Sequence, residues 1–430
     1  MKVRTGAALG SLILTAVALL AATPAAAGQL SEATATPVGS FDGLAYVQYD
    51  GIFEGHTSTG GYRVPYRITA PADPVRANRT VLVEPPHPAA GLGARDGRLG
   101  QGFLFSRGFV HAGIGWSTTS FGNAFRLRIL DPTVRGVFID GGIKDKNGRT
   151  DDEIIVDFAR ALAVDANAQR MIGRVDRRYV TGFSDTSDPV LRLVTSGRAS
   201  GVFDLALPFI ADAQLHDPQA ALGTGHFVGK LIIVNSEADA SAAFVDRGGL
   251  PNQYRFHRVA GAPHVPDDLL EPNFSSHTTP ASYAPALRAH FLHGHAWVRG
   301  AAPPPASTHL KRLADGTLDR DVNGNAIAVN AIGNLVPRLP FVELGEAHYI
   351  SGFIGSFDNV KTIGNLGFAS HDAYLRAFDE KLADYLKAGY ILKDDADAMH
   401  RRAALCAPLT FTQTYRDRYD AFIAITPCGG

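Results

Sequence analysis

Three observations predict an α/β architecture, with a mainly parallel central sheet covered by helices on both faces. Short apolar strand-like runs alternate with helix-compatible stretches along most of the chain. The run Lys230-Leu231-Ile232-Ile233-Val234 is nearly all β-branched and apolar, as expected of a parallel strand buried on both faces. Finally, Arg178-Tyr179-Val180-Thr181-Gly182-Phe183-Ser184-Asp185-Thr186 reads as a strand running into a sharp turn, with a helical pattern (Val190, Leu191, Leu193, Val194) behind it. Such a turn pushes a serine hydroxyl out at the strand end and demands small neighbours.

The chain has 430 residues. It opens with Lys2 and Arg4, an apolar run from Leu12 to Ala22, and Ala25-Ala26-Ala27. These are the parts of a secretory signal peptide, so residues 1–27 are expected to be removed. An uncleaved membrane anchor is the alternative. No second apolar run of about 20 residues follows, so an exported, soluble mature protein without stable membrane insertion is expected. The net charge of −1 argues against a nucleic-acid footprint or a polybasic membrane patch. Three methionines and much Ala, Gly and Arg suggest a GC-rich bacterial source.

Leu44 to Thr69 alternates and turns, as antiparallel strands at a sheet edge would. Thr80 to Glu84 is a short apolar strand, ended by Pro85-Pro86-His87-Pro88, which cannot continue a ladder. A helix over Phe103 to Gly108 and a strand over Phe109 to Trp116 come next. Asp151 to Ala163 has helical spacing and acids in its first turn. After the serine turn, strands are expected over Phe203–Phe209, Lys230–Val234 and Tyr254–Val259, then a helix from Ser282 to Val298. Ala301-Ala302-Pro303-Pro304-Pro305 marks a composition break. Two amphipathic helices, Tyr374–Leu386 and Asp394–Leu405, are expected beyond it.

The two cysteines, Cys406 and Cys428, lie near the C-terminus. In an exported chain they are expected to pair, stabilising by roughly 3 kcal/mol in the chain-entropy model. His290, His293 and His295 do not share one helix face and are read as a solvated helix end rather than a metal site. Asp315, Asp319, Asp321, Asn323 and Asn325 lack the glutamate of a calcium loop and are read as a polar turn. No metal or cofactor is expected.

A serine nucleophile needs a base to take its proton, and the base needs an acid to fix its tautomer. The strand Leu231–Val234 runs into Asn235-Ser236-Glu237-Ala238-Asp239, and the strand Tyr254–Val259 into Ala260-Gly261-Ala262-Pro263-His264. Ser184, Asp239 and His264 therefore arrive in the order Ser, acid, His, each just after a strand. Asp239 is the preferred acid, with Glu237 the alternative. The oxyanion donors are expected to be the backbone N–H of Asp185 and one from the loop after Glu84. Its prolines have no N–H, which leaves His87 or Ala89. A proline turn with no catalytic part is the alternative.

The chain resembles the bacterial "alpha/beta hydrolase domain-containing" proteins, an often exported serine-hydrolase family. The resemblance rests on the serine turn, Ser236-Glu237-Ala238-Asp239, Val259-Ala260-Gly261-Ala262-Pro263-His264 and Ala296-Trp297-Val298-Arg299-Gly300. It continues through Asp319-Arg320-Asp321-Val322-Asn323-Gly324-Asn325, Arg338-Leu339-Pro340 and Ala388-Gly389-Tyr390-Ile391-Leu392-Lys393-Asp394-Asp395-Ala396. It implies an α/β-hydrolase fold over residues 28–300, with residues 301–430 a family-specific extension packed on it. The expected activity is hydrolysis of a small-molecule carboxylic ester by Ser184, His264 and Asp239. Amide or peptide hydrolysis and a non-catalytic binding protein are the alternatives. Thr186 stands where the family has a smaller residue. Asp188-Pro189 predicts that the following helix starts late.

Overall fold

The computed structural model describes residues 28–57, 60–87, 92–93, 99–116, 138–139, 149–211, 217–239, 244–266 and 279–404. The expected leader, Ala89, Cys406 and Cys428 lie outside the described residues. The strands are β1 (Gln29–Leu30), β2 (Ala35–Phe41), β3 (Leu44–Thr57), β4 (Gly60–Pro71), β5 (Thr80–Glu84), β6 (Val110–Ile114), β7 (Phe138–Ile139), β8 (Arg177–Phe183), β9 (Leu205–Phe209), β10 (Lys230–Ser236) and β11 (Tyr254–Val259). They form one sheet whose main path runs β1-β3-β4-β6-β5-β8-β9-β10-β11. From β6 to β11 every neighbouring pair is parallel. Strands β1 to β4 pair antiparallel, and β4 joins them antiparallel to β6.

The chain goes from β5 to β6 on one side, then crosses back to β8 on the other. The order reverses at β5, so β5 and β8 are the neighbouring strands at the switch point, beyond whose carboxyl ends an open α/β sheet usually holds its ligand. His87 and Ser184 both lie just beyond those two strand ends.

The period of two along each strand sorts the core into two layers. Val81, Val83, Val180, Ala206, Leu231 and Ile233 face the helices α2 (Arg149–Val164), α3 (Ala166–Ile172) and α4 (Ser187–Thr195). Leu82, Tyr179, Leu205, Leu207, Ile232 and Val234 face the other way. There they meet the short α1 (Gln101–Phe105) and α6 (Ala284–Trp297), which follows the small α5 (Pro218–Gly223).

Residues beyond the proline run continue this second layer. They comprise the hairpin β12 (Thr308–Leu310)–β13 (Ala328–Asn330), α7 (Pro340–Glu343), the hairpin β14 (His348–Ile350)–β15 (Ser356–Asp358), α8 (His371–Lys387) and α9 (Lys393–Ala404). Phe341, Tyr349, Tyr374, Phe378 and Met399 pack in the same cluster as Ile232 and Phe291. The segment entering β12 also lies along edge strand β11: Phe256 and Arg258 donate their backbone N–H to Ser307 Oγ (3.0 Å) and Thr308 Oγ1 (3.1 Å). That covers donors which an edge strand would otherwise leave open.

Two expectations are corrected. The histidines of α6 are not a solvated helix end. His290 is buried and stacks on His257 with ring centroids 3.5 Å apart, His293 bonds the Gly389 carbonyl, and His295 bonds the Tyr179 hydroxyl. The helix after the serine turn does not start late either. A 3-10 turn over Ser184–Thr186 runs straight into α4. Pro189 falls in the first turn of α4, where a backbone N–H has no helical partner to lose. Asp188 accepts from Arg192 Nη1 one turn on, at 2.5 Å.

Candidate active site

Strand β8 ends at Phe183, and the chain turns at once. Ser184 takes a left-handed backbone conformation, φ +51°, which costs a non-glycine residue of order 1–3 kcal/mol. The turn is so tight that a Cβ at Gly182 would sit 2.1 Å from the Thr186 carbonyl oxygen. Glycine is therefore obligatory at 182. Thr186 is accommodated because its hydroxyl closes the turn: it accepts from Phe183 N–H (2.8 Å) and donates to the Phe183 carbonyl (2.9 Å).

The ends of β10 and β11 bring the other two groups to this hydroxyl. Ser184 Oγ lies 2.8 Å from His264 Nε2, and His264 Nδ1 lies 2.8 Å from Asp239 Oδ1. Ser236 Oγ donates to the second Asp239 oxygen at 2.5 Å and accepts from the Asp239 N–H at 3.2 Å. Asp239 is thus held by its own turn with one oxygen aimed at the imidazole.

Glu237, the alternative acid, is turned elsewhere. Its buried carboxylate accepts from Gly261 N–H (2.7 Å) and from Arg320 Nη2 (2.7 Å). It fixes the start of the turn that carries His264, at a glycine with φ +77°. Asp239, not Glu237, reaches the imidazole: Ser236 holds the Asp239 carboxylate beside it, while the Glu237 carboxylate is taken up by Gly261 and Arg320.

His87 flanks the turn from the β5 side. Its Nε2 lies 3.8 Å from Asp185 Oδ2, and its ring is 5.4 Å from that of Phe183. The loop after β5 therefore borders the backbone expected to carry the oxyanion. Aromatic rings line the imidazole: Phe183 at 5.6 Å and, face on, Phe353 at 4.9 Å with planes 22° apart. Tyr283 at the start of α6 donates its hydroxyl to the His264 carbonyl at 3.1 Å.

Ser236 and Arg320 lie inside the motifs that carry the family resemblance, but the sequence reading gives neither of them, nor Tyr283 or Phe353, a part in the site. Only Ser236 carried a local signal, since a serine three residues before an aspartate is a turn-forming pattern. Among the described residues no group of three or more His, Cys, Asp or Glu side chains is arranged to hold a metal ion.

No curated protein sequence matches the chain. Among solved structures it is similar to an S-formylglutathione hydrolase from Agrobacterium tumefaciens, at 10% identity and a TM-score of 0.32 over 54% of this chain and 91% of that one. It is similar to a carboxylesterase from Geobacillus stearothermophilus at 13% identity and a TM-score of 0.27, over 41% of this chain and 47% of that one. A glucuronoyl esterase from Solibacter usitatus matches at 12% identity and a TM-score of 0.29, over 50% of this chain and 69% of that one. The sequence family described as "alpha/beta hydrolase domain" matches residues 47–401, most of the length. The chain, with its mostly parallel sheet flanked by helices, belongs to that alpha/beta hydrolase domain family.

Proposed function

We propose that the chain hydrolyses carboxylic esters through an acyl-enzyme, with Ser184 as nucleophile. The observation that supports this reading is the unbroken hydrogen-bonded series Ser184 Oγ–His264–Asp239, with the serine on a strained turn at the sheet's switch point. His264 Nε2 takes the hydroxyl proton as Ser184 Oγ attacks the ester carbonyl. Asp239 holds the tautomer with the proton on Nδ1 and stabilises the imidazolium that forms. The backbone N–H of Asp185 and a donor from the loop at His87 receive the developing oxyanion. The imidazolium then gives its proton to the leaving alcohol as the C–O bond breaks. A water molecule, deprotonated by the same imidazole, then attacks the acyl carbonyl; the acyl–Oγ bond breaks, Ser184 Oγ takes the proton back from the imidazolium, and the acid is released. No step of this sequence calls on a cofactor. In the same proposal the first 27 residues are a leader removed on export.

The test is hydrolysis of p-nitrophenyl esters from C2 to C12 by the mature chain and Ser184→Ala side by side. A loss of about a thousandfold or more in the variant is the expected result for a triad nucleophile. Equal rates in both proteins would remove Ser184 as nucleophile. Silence towards every ester, together with no labelling by a fluorophosphonate, would favour the binding-protein alternative.

A further inference from the structure

The turn that carries His264 is gripped by residues from far along the chain, beyond the proline run. His264 N–H donates to the Gly352 carbonyl (2.9 Å), and Val265 N–H to the Phe353 carbonyl (2.8 Å). Val265 and Ile354 form a parallel bridge. The approach is close enough that a Cβ at Gly355 would lie 2.8 Å from Pro263 Cβ and 2.6 Å from Thr279 Cγ2. At the other end of the turn, Arg320 holds Glu237, and Glu237 holds the Gly261 N–H.

This segment delivers one side chain to the site. Phe353 is 70% exposed, an unusual position for a phenylalanine, yet its ring lies parallel to the His264 ring at 4.9 Å. Exposure rules out a core-packing role. A phenyl face over an imidazole is nearly neutral while the ring is uncharged, and attractive once it is protonated.

We propose that Phe353 is a positioning residue for His264. Its face fixes the plane of the imidazole and stabilises the imidazolium formed when Ser184 gives up its proton. The inference rests on the ester-hydrolase reading for its catalytic meaning, but not for its physical content. Among the described residues, the other titratable or charged groups around the imidazole are Asp239 on its Nδ1 side, and His87 and Asp185 across Phe183. Glu237 and Arg320 lie behind the turn, and Arg258 is close enough to Asp239 to feel its charge. None of them presents a π face to the imidazole as Phe353 does.

The experiment compares full-length mature wild type, Phe353→Leu and Phe353→Tyr. Leucine keeps the apolar cover and removes the π face; tyrosine keeps both. The first readout is the His264 titration by proton–nitrogen NMR, its signal identified by loss in His264→Gln. Phe353→Leu should move the midpoint down by about half a unit, and Phe353→Tyr should restore it. The second readout is kcat/KM for p-nitrophenyl acetate from pH 5 to 9. The acidic limb should shift by the same amount, with kcat about threefold lower and KM little changed in Phe353→Leu. An unmoved midpoint overturns the proposal. So does a rise in KM alone, which would make Phe353 a substrate contact. The titration needs no turnover, so it decides this point even if Ser184→Ala shows the ester-hydrolase reading to be wrong.

Discussion

At Thr186 a single hydroxyl serves both backbone polar groups of Phe183, one bond in each direction. Phe183 is the last residue of β8, in register with Phe209 of β9, and the buried turn that follows must keep its backbone polar groups satisfied as the chain leaves the sheet. The methyl and hydroxyl of threonine are consequently a fit rather than a crowding, and the position tests the turn directly. Thr186→Val keeps the shape and withdraws both bonds. It should lower stability by about 1–3 kcal/mol and slow fluorophosphonate labelling of Ser184. Thr186→Ser, which keeps the hydroxyl, should stay close to wild type in both. Thermal melts and labelling rates on the three proteins decide it; a valine variant as stable and as reactive as wild type would mean the hydroxyl does not hold the turn.

At the scale of elements, the best-foreseen pieces are those whose burial is two-sided. Thr80–Glu84 and Tyr254–Val259 begin and end where the alternation and flanking prolines and glycines put them. Ser184, Asp239 and His264 were singled out because each follows such a strand. The hairpins β12–β13 and β14–β15 were not foreseen. Their strands are three residues long, too short for a period to register, and their packing is tertiary. Phe353 was missed for the same reason: it stands in a Gly-rich stretch with no pattern around it. The link between α6 and α9 was equally invisible, because its partners are 107 residues apart. Buried Arg288 meets buried Asp395 through both its Nε, at 3.1 Å to each oxygen, and its Nη2. Removing one member of such a pair costs about 3–5 kcal/mol. Asp395→Ala should therefore unfold earlier in urea by that amount. A shift under about 1 kcal/mol would show that the two helices are held by the apolar layer alone.

For the whole molecule, buried ionisable groups on the second face of the sheet set how stability follows pH. Burial lowers the pKa of His257 and His290, aided by the charges of neighbouring histidines and, at His257, of Arg255; burial takes His295 down to about 4. In the unfolded chain these rings bind protons below about 6.5. The unfolded state then holds more protons than the fold, so their contribution is fully present above about pH 6.5 and is lost as pH falls towards 4. Glu346 runs the opposite way. It is fully buried against the Tyr374 hydroxyl (2.6 Å), and burial pushes it up to about 8. The fold keeps a proton that the unfolded chain releases above about pH 4.5, so this contribution is lost as pH rises from there to about 8. Glutamine has the same shape and never ionises. The Tm of Glu346→Gln minus that of wild type should accordingly be small at pH 5 and grow steadily to pH 8, while both proteins share the acid-side loss from the histidines. A difference that stays constant between pH 5 and 8 would mean that Glu346 is already ionised in the fold, and that the alkaline side of the curve has another origin.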